Sequence, residues 1–176
     1  MFQTILVAIG ANLASAGGRT PLETCQWAAG QLGQLPGLEL RMVSRWFATQ
    51  PVPASDQPRF VNGAAWLSGT VEPCRLLGMT QAIEAEAGRV RGVPNAARTL
   101  DLDLLAMDDR VMASPQLVLP HPRMQDRAFV LAPLQDIRPD WTHPVLHASV
   151  STMLAAVSGQ DVQALQPALA ERAALA

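Results

Sequence analysis

The sequence predicts an α+β fold of the ferredoxin-like kind: a βαββαβ core with a mainly antiparallel sheet, helices packed on it, and extra C-terminal elements. Three observations carry that prediction. Apolar residues change between strand period and helix period in the order β-α-β-β-α-β. Pro and Gly mark the breaks between those segments. The chain has 176 residues, 49% hydrophobic and 16% charged, which suits one domain with a substantial core. A single domain over 1–158 is expected, followed by a short Ala/Leu-rich tail over 159–176 with no readable motif.

Each element has a local reason. Residues 3–10, QTILVAIG, form a short apolar run ended by Gly10 and read as a buried strand. Gly17-Gly18 makes a turn, and Thr20-Pro21 opens a helix with proline at its first position. Pro36-Gly37 stops that helix near Leu35. Residues 38–49 alternate, Leu38, Leu40 and Met42 against Glu39, Arg41 and Val43, as one half-buried strand. The stretch 50–59 carries three prolines in ten residues and is a loop. A second alternating strand runs over 60–70. Glu72-Pro73 opens a helix to about Ala87, with Leu76, Leu77, Thr80, Ile83 and Ala87 on one face, and Gly88 ends it. Residues 89–97 read as a loop, 98–107 as a strand and Asp108-Asp109 as a turn. Residues 120–127 form a loop running into a short helix, and a last helix covers 150–157. The tail reads as a frayed helix. Both long helices then lie on one face of the sheet. The other face is left to loops and the C-terminal segment, and a ligand cleft is expected there.

All 13 basic side chains are Arg; there is no Lys and no Tyr. That excludes a Schiff-base lysine, a P-loop lysine and a tyrosine acid. Fifteen acids give a net charge of −2, so no basic excess points to nucleic acid, and an anionic partner is expected to be small. Cys25 and Cys74 form no CxxC pattern; free thiols in a reducing cytoplasm are expected, with a disulfide left open. No stretch approaches the roughly 20 apolar residues of a membrane span, and the N-terminus has no basic region before its apolar run. A cytoplasmic location without membrane contact is the expectation.

Asp101 and Asp103 share one face of their strand, while Leu100, Leu102 and Leu104 take the other. Two such carboxylates either hold a hard divalent cation such as Mg²⁺ or mark a solvated face. Arg89, Arg91 and Arg98 lie close by in sequence. Guanidiniums fork onto phosphate oxygens, so acids that hold metal beside them make a polyphosphate site; surface pairing between Arg98 and Asp101 is the plain alternative. Gln81 and Glu84, three apart on the second helix, share a face that alone reads as solvated. His121 is fixed between Pro120 and Pro122, where it can donate to a phosphate, with Arg127 six residues on. Asn62 and Phe60 lie beside the Pro-rich loop and can read a planar heterocycle by hydrogen bonds and stacking, Phe129 supplying a second plane, unless both rings are core. His143 and His147 have zinc-like spacing, but Pro144 between them opposes a helix.

The stretches VAIGANLAS (7–15), DQPRFVNGA (56–64), QAIEAEAGRVR (81–91), RTLDLD (98–103) and LPHPRMQDRAFVLAPL (119–134) together resemble the 6-hydroxymethyl-7,8-dihydropterin pyrophosphokinase family. The resemblance implies a folate-pathway enzyme that moves pyrophosphate from ATP to a reduced hydroxymethylpterin, releasing AMP. It implies two Mg²⁺ ions on Asp101 and Asp103, and catalytic roles for Arg89 and Arg98. It implies nucleotide contacts at Gln81, Glu84, Arg91, His121 and Arg127, and a pterin held by Thr49, Val52, Phe60, Asn62 and Phe129. A monomer with no nucleic-acid partner is expected.

One segment departs from the family pattern: 92–97, GVPNAA, lacks the usual lid tryptophan and has one residue fewer, and Pro122 stands where an aromatic is frequent. The departure keeps open a divergent relative that binds pterin or nucleotide with weak catalysis. An RNA-binding module is a third reading, but it would want a basic face and aromatic central strands.

Overall fold

The structure is a computed structural model that describes residues 2–90 and 97–165. Arg91, most of the lid segment at 92–96, and the tail at 166–176 lie outside the described residues.

The described elements are β1 (Gln3–Ala11), α1 (Pro21–Gly33), β2 (Leu38–Val43), β3 (Phe47–Thr49), β4 (Phe60–Gly69), α2 (Pro73–Glu86), β5 (Asp101–Met107), β6 (Met112–Ala113), β7 (Val118–Leu119), α3 (Ala128–Ile137), α4 (Val150–Ala156) and β8 (Val162–Ala164). A short 3₁₀ turn at Met124–Asp126 precedes α3. The main sheet runs β5-β1-β4-β3-β8, with β2 also paired to β4. The pairs of β1 with β4 and β5 are antiparallel. The chain therefore has the expected α+β, ferredoxin-like arrangement.

Local chemistry explains the starts of the helices. Thr20 caps α1 by accepting the Glu23 N–H at 3.3 Å, while the Glu23 carboxylate takes the Thr20 N–H at 2.8 Å. Proline stands at the first positions of α1 and α2, where its missing N–H costs nothing.

Three sequence readings change. The strand expected over 38–49 is two strands divided at Ser44, whose hydroxyl accepts the Ala64 N–H at 2.9 Å and donates to the Arg45 carbonyl at 2.7 Å. Within β2 a register shift between Leu40 and Met42 breaks the expected alternation. Met42 is therefore 45% exposed rather than inward, and Val43 packs on the core instead. The strand expected from Arg98 begins at Asp101, since the Arg98 carbonyl accepts from Asn12 and Leu13 N–H groups at 3.1 and 3.2 Å. Beyond 158, the expected frayed helix gives way to β8, antiparallel to β3.

The two faces of the sheet have different partners. Ile5, Val7 and Ile9 of β1 join Leu102 and Leu104 of β5 beneath α1 and α2. Leu6, Ala64 and Leu105 face the other way and are covered by Val130, Leu131 and Leu134 of α3 and Met153 of α4. That second cover stops short. Where the same face continues along β1, β4 and β5, its residues are Gly10, Asn62, Asp101 and Asp103, and they line an open cleft.

Candidate active site

The cleft encloses about 740 Å³ including its solvent-open part, and one wall is charged and the other apolar. Asp101 and Asp103 stand on β5 at the strand's period of two, with Leu102 and Leu104 buried behind them. Arg89 arrives from the end of α2. Gly88, at φ +82°, turns the chain out of the helix, and the Arg89 N–H donates back to the Glu84 carbonyl at 3.0 Å. The Arg89 guanidinium then pairs with Asp101 and donates to the Leu100 carbonyl at 3.0 Å. Arg98 grips the other oxygen of Asp101. Asp101 is thus clamped between two guanidiniums.

Glu84 lies behind this clamp, not in it. It is 3% exposed, pairs with Arg89 at 2.8 Å and accepts the Leu102 N–H at 2.8 Å. The expected nucleotide contact at Glu84 is therefore a support beneath the strand and arginine. Burial works against the charge on Arg89, but Asp101, Glu84 and Asp103 outweigh it and raise its pKa. Gln81, expected on the same face, is exposed and does not line the cleft.

Asp103 points into the cleft. Desolvation, and then the neighbouring Asp101, push its pKa up, against the pull of His121, Arg127 and Arg89. His121 Nδ1 accepts the Arg123 N–H at 3.2 Å, which turns Nε2 toward Asp103 at 3.9 Å. Burial lowers the His121 pKa despite Asp103, with Arg127 and Arg123 adding to the effect. His121 Nε2 thus faces Asp103, which lines the cleft. Arg127 lies over the Phe129 ring at 5.4 Å and also lines the cleft.

The apolar wall is built from β3, β4 and the Pro-rich loop. Asn62 is 6% exposed and its Nδ2 donates to Thr49 Oγ1 at 2.8 Å. Gly10 faces it closely: a Cβ there would sit 3.0 Å from Asn62 Oδ1. Phe60, Phe129 and Val52 complete the wall; both rings are half-buried and line the cleft, and Phe129 also packs against the second core. The structure thus brings together Asp101, Asp103, Arg98, Arg127, Thr49, Val52, Phe60, Asn62 and Phe129 around one cleft.

Asn12 escaped the sequence reading. It is 3% exposed, takes the Arg98 N–H on Oδ1 at 2.8 Å, and donates to Gln57 Oε1 at 3.2 Å and the Pro58 carbonyl at 3.1 Å. It ties Arg98 to the loop of the apolar wall. Its sequence signal was its place in the 7–15 stretch, two residues after Gly10 at the strand end. His143, by contrast, accepts the Val145 and Leu146 N–H groups on Nδ1, both at 3.2 Å, and is structural. Cys25 and Cys74 are both free thiols, and burial pushes Cys25 up to about 12.

The donor set suits a cation shared with a ligand. Among the described residues no group of three or more His, Cys, Asp or Glu gathers into a cage. Two carboxylates on one strand face match Mg²⁺, which is usually held by one or two carboxylates together with substrate phosphates.

A family model of 7,8-dihydro-6-hydroxymethylpterin-pyrophosphokinase (HPPK) matches residues 6–139. The 2-amino-4-hydroxy-6-hydroxymethyldihydropteridine pyrophosphokinase of Pseudomonas aeruginosa is 44% identical over 144 residues, 82% of this chain and 86% of the relative. The enzyme of the same name from Synechocystis is 35% identical over 162 residues, 92% of this chain and 78% of the relative. Wild-type Plasmodium falciparum HPPK-DHPS superposes with a TM-score of 0.63 at 13% identity, over 89% of this chain and 45% of that one. That likeness is one of fold, and this chain spans less than half the length of that solved protein.

Proposed function

The chain belongs to the 7,8-dihydro-6-hydroxymethylpterin-pyrophosphokinase family, and as the folate-pathway transferase it therefore is, we propose that it moves the pyrophosphoryl group from ATP to hydroxymethyldihydropterin in this cleft. The observation that carries the placement is Asp101, clamped by Arg89 and Arg98 beside Asp103 and facing the Asn62 wall. AMP is the leaving product.

The residues divide the work by chemistry. Arg89, Arg98 and Arg127 offer fork-shaped donors to phosphate oxygens, and His121 offers Nε2–H. Arg91 joins them as a further nucleotide contact. Asn62 presents an amide edge to the pterin between Phe60 and Phe129, with Thr49 holding the amide and Val52 closing the wall. Asp101 and Asp103 would hold two Mg²⁺ ions, which would supply charge neutralisation at the phosphates. Transfer of this kind needs alignment and charge stabilisation more than covalent help. Holding the hydroxymethyl oxygen in line with the β-phosphorus contributes on the order of 7–11 kcal/mol in the best cases. No side chain stands out as a strong base, so the hydroxyl proton leaves to water or a phosphate oxygen.

One chain supplies both walls, so a monomer suffices. Two free thiols suit the cytoplasm, and no described helix is long and apolar enough to cross a membrane. The alternative of a binding-only relative drew on the lid segment, and no described residue favours it.

The test is substitution of the acids. Asp101→Ala and Asp103→Ala are each expected to lower AMP release by about 10²–10³-fold or more while leaving the circular dichroism spectrum intact. Near-normal turnover in either variant contradicts the assignment.

A further inference from the structure

Arg127 reaches the cleft from the N-cap position of α3, and that use leaves the helix without an ordinary cap. An N-cap side chain must accept a backbone N–H, and arginine has only donors. No side-chain cap bond forms at Arg127. The missing acceptor comes from 32 residues further along the chain. Gln160 Oε1 accepts the Ala128 N–H at 3.0 Å, and Gln160 Nε2 donates to the Asp126 carbonyl at 2.8 Å. One primary amide therefore grips the backbone on both sides of Arg127, with the donor and acceptor pattern of a strand partner.

Gln160 is itself fixed from both directions. Its N–H donates to the Val157 carbonyl at 3.1 Å, just past α4. Its neighbour Asp161 pairs with Arg59 at 2.7 Å, at the base of the Pro-rich loop. Then β8 pairs with β3, placing Val162 opposite Thr49, the residue that receives the Asn62 amide. A segment five residues long thus touches the backbone supports of both cleft walls. It lies beyond residue 139, where the family match ends.

We propose that Gln160 is a positioning residue for Arg127 and Phe129, and that the 160–164 segment acts as a brace setting the distance between the charged and apolar walls. The proposal rests on the reading that Arg127 and Phe129 hold the nucleotide and the pterin. An amide that fixes the Asp126–Ala128 backbone fixes where the guanidinium and the phenyl ring point. A displacement of an ångström at such a site costs about 10²-fold in rate, so a loosened N-cap costs a smaller but measurable part of that.

The experiment compares AMP release by wild type, Gln160→Ala, Gln160→Glu, Leu154→Ala and Arg127→Ala, with KM for ATP and for the pterin measured separately. Thermal unfolding and the exchange rate of the Ala128 amide are read alongside. Gln160→Ala is expected to lower kcat/KM about 10-fold, with KM rising for both substrates, and to speed Ala128 exchange. Gln160→Glu keeps the acceptor and loses the donor, and is expected to lose about 3-fold. It also decides the question if Gln160→Ala fails to fold. Leu154→Ala loosens α4 beside Gln160 while leaving both Gln160 amide bonds in place, and is expected to lose stability while keeping kcat/KM. Folded Gln160 variants with wild-type kcat/KM overturn the proposal, as does an equal activity loss in Leu154→Ala. If Arg127→Ala is impaired while the Gln160 variants are normal, only the brace fails. If Arg127→Ala is fully active, the reading of the site beneath it fails.

Discussion

Asp101 has a guanidinium on each oxygen, and that crowding fits the role proposed for the carboxylate. A carboxylate oxygen has two lone-pair sites, so arginine on one leaves the other for a cation. The arginines also bring positive charge to the point where a triphosphate would arrive. Glu84 shows how such a clamp is kept in order. It is buried with the Leu102 N–H and Arg89 as partners, and removing it strips both at once. Glu84→Ala is expected to cost about 3 kcal/mol, the low end for losing one partner of a buried pair because Arg89 keeps Asp101. Urea unfolding checks this. Asn12→Ala leaves the Arg98 N–H and the loop carbonyl of Pro58 without their partner. A stability loss of about 1–3 kcal/mol is expected, with KM for the pterin rising as the 50–59 loop is released. Asp101, Asp103 and the arginines near them were readable because period two and neighbouring charges are sequence patterns. The supporting roles of Glu84 and Asn12 were not, since Glu84 joins Arg89 to the Leu102 N–H 18 residues on, and Asn12 joins Arg98 to the Pro-rich loop across 86 and 46 residues.

At the scale of elements, the helices follow their signals more closely than the strands do. The start of α1 was visible as Thr20-Pro21, and the Thr20–Glu23 capping box that the structure adds there makes a pH prediction. Hydrogen bonds from the Thr20 backbone and then its hydroxyl hold the Glu23 carboxyl below its ordinary value of 4.5. A depressed folded pKa means the contribution is full above that ordinary value and is lost as pH falls through the folded one. Glu23→Gln should therefore lower Tm at pH 7, and the difference from wild type should shrink as pH falls below about 4.5. A difference that grows on acidification contradicts the capping role. Strand β4 carries a steric prediction. A Cβ on Gly69 would lie 2.1 Å from the Gly37 carbonyl, where neither backbone can yield easily. Gly69→Ala is expected to destabilise by about 1–3 kcal/mol, read by thermal unfolding. What the alternation at 38–49 could not disclose is the bulge that turns Met42 outward, because a bulge is set by the partner strand. The hairpin of β6 and β7 has two residues per strand, too few for a period to show.

Across the whole molecule, one sheet serves two cores and a cleft. The α1/α2 face and the α3/α4 face share β1, β4 and β5, so neither core can be lost alone. Trp27 and Trp46 pack on the first core, Trp66 and Trp141 on the second. Fluorescence and far-UV circular dichroism are expected to give coincident urea transitions; separate ones contradict the shared-sheet account. The cleft opens where the second cover ends, and there the inward face changes from Leu and Ala to Asn and Asp. The absence of lysine has a structural counterpart, since the described cleft cations are the guanidiniums of Arg98, just before β5, and Arg127, at the N-cap of α3. The measurement that tests this account most directly is the product of the reaction itself. Wild-type protein given ATP, Mg²⁺ and 6-hydroxymethyl-7,8-dihydropterin should release AMP and form a pterin diphosphate visible by ³¹P NMR, with no AMP when the pterin is omitted. Release of ADP, or AMP formation that ignores the pterin, would contradict it.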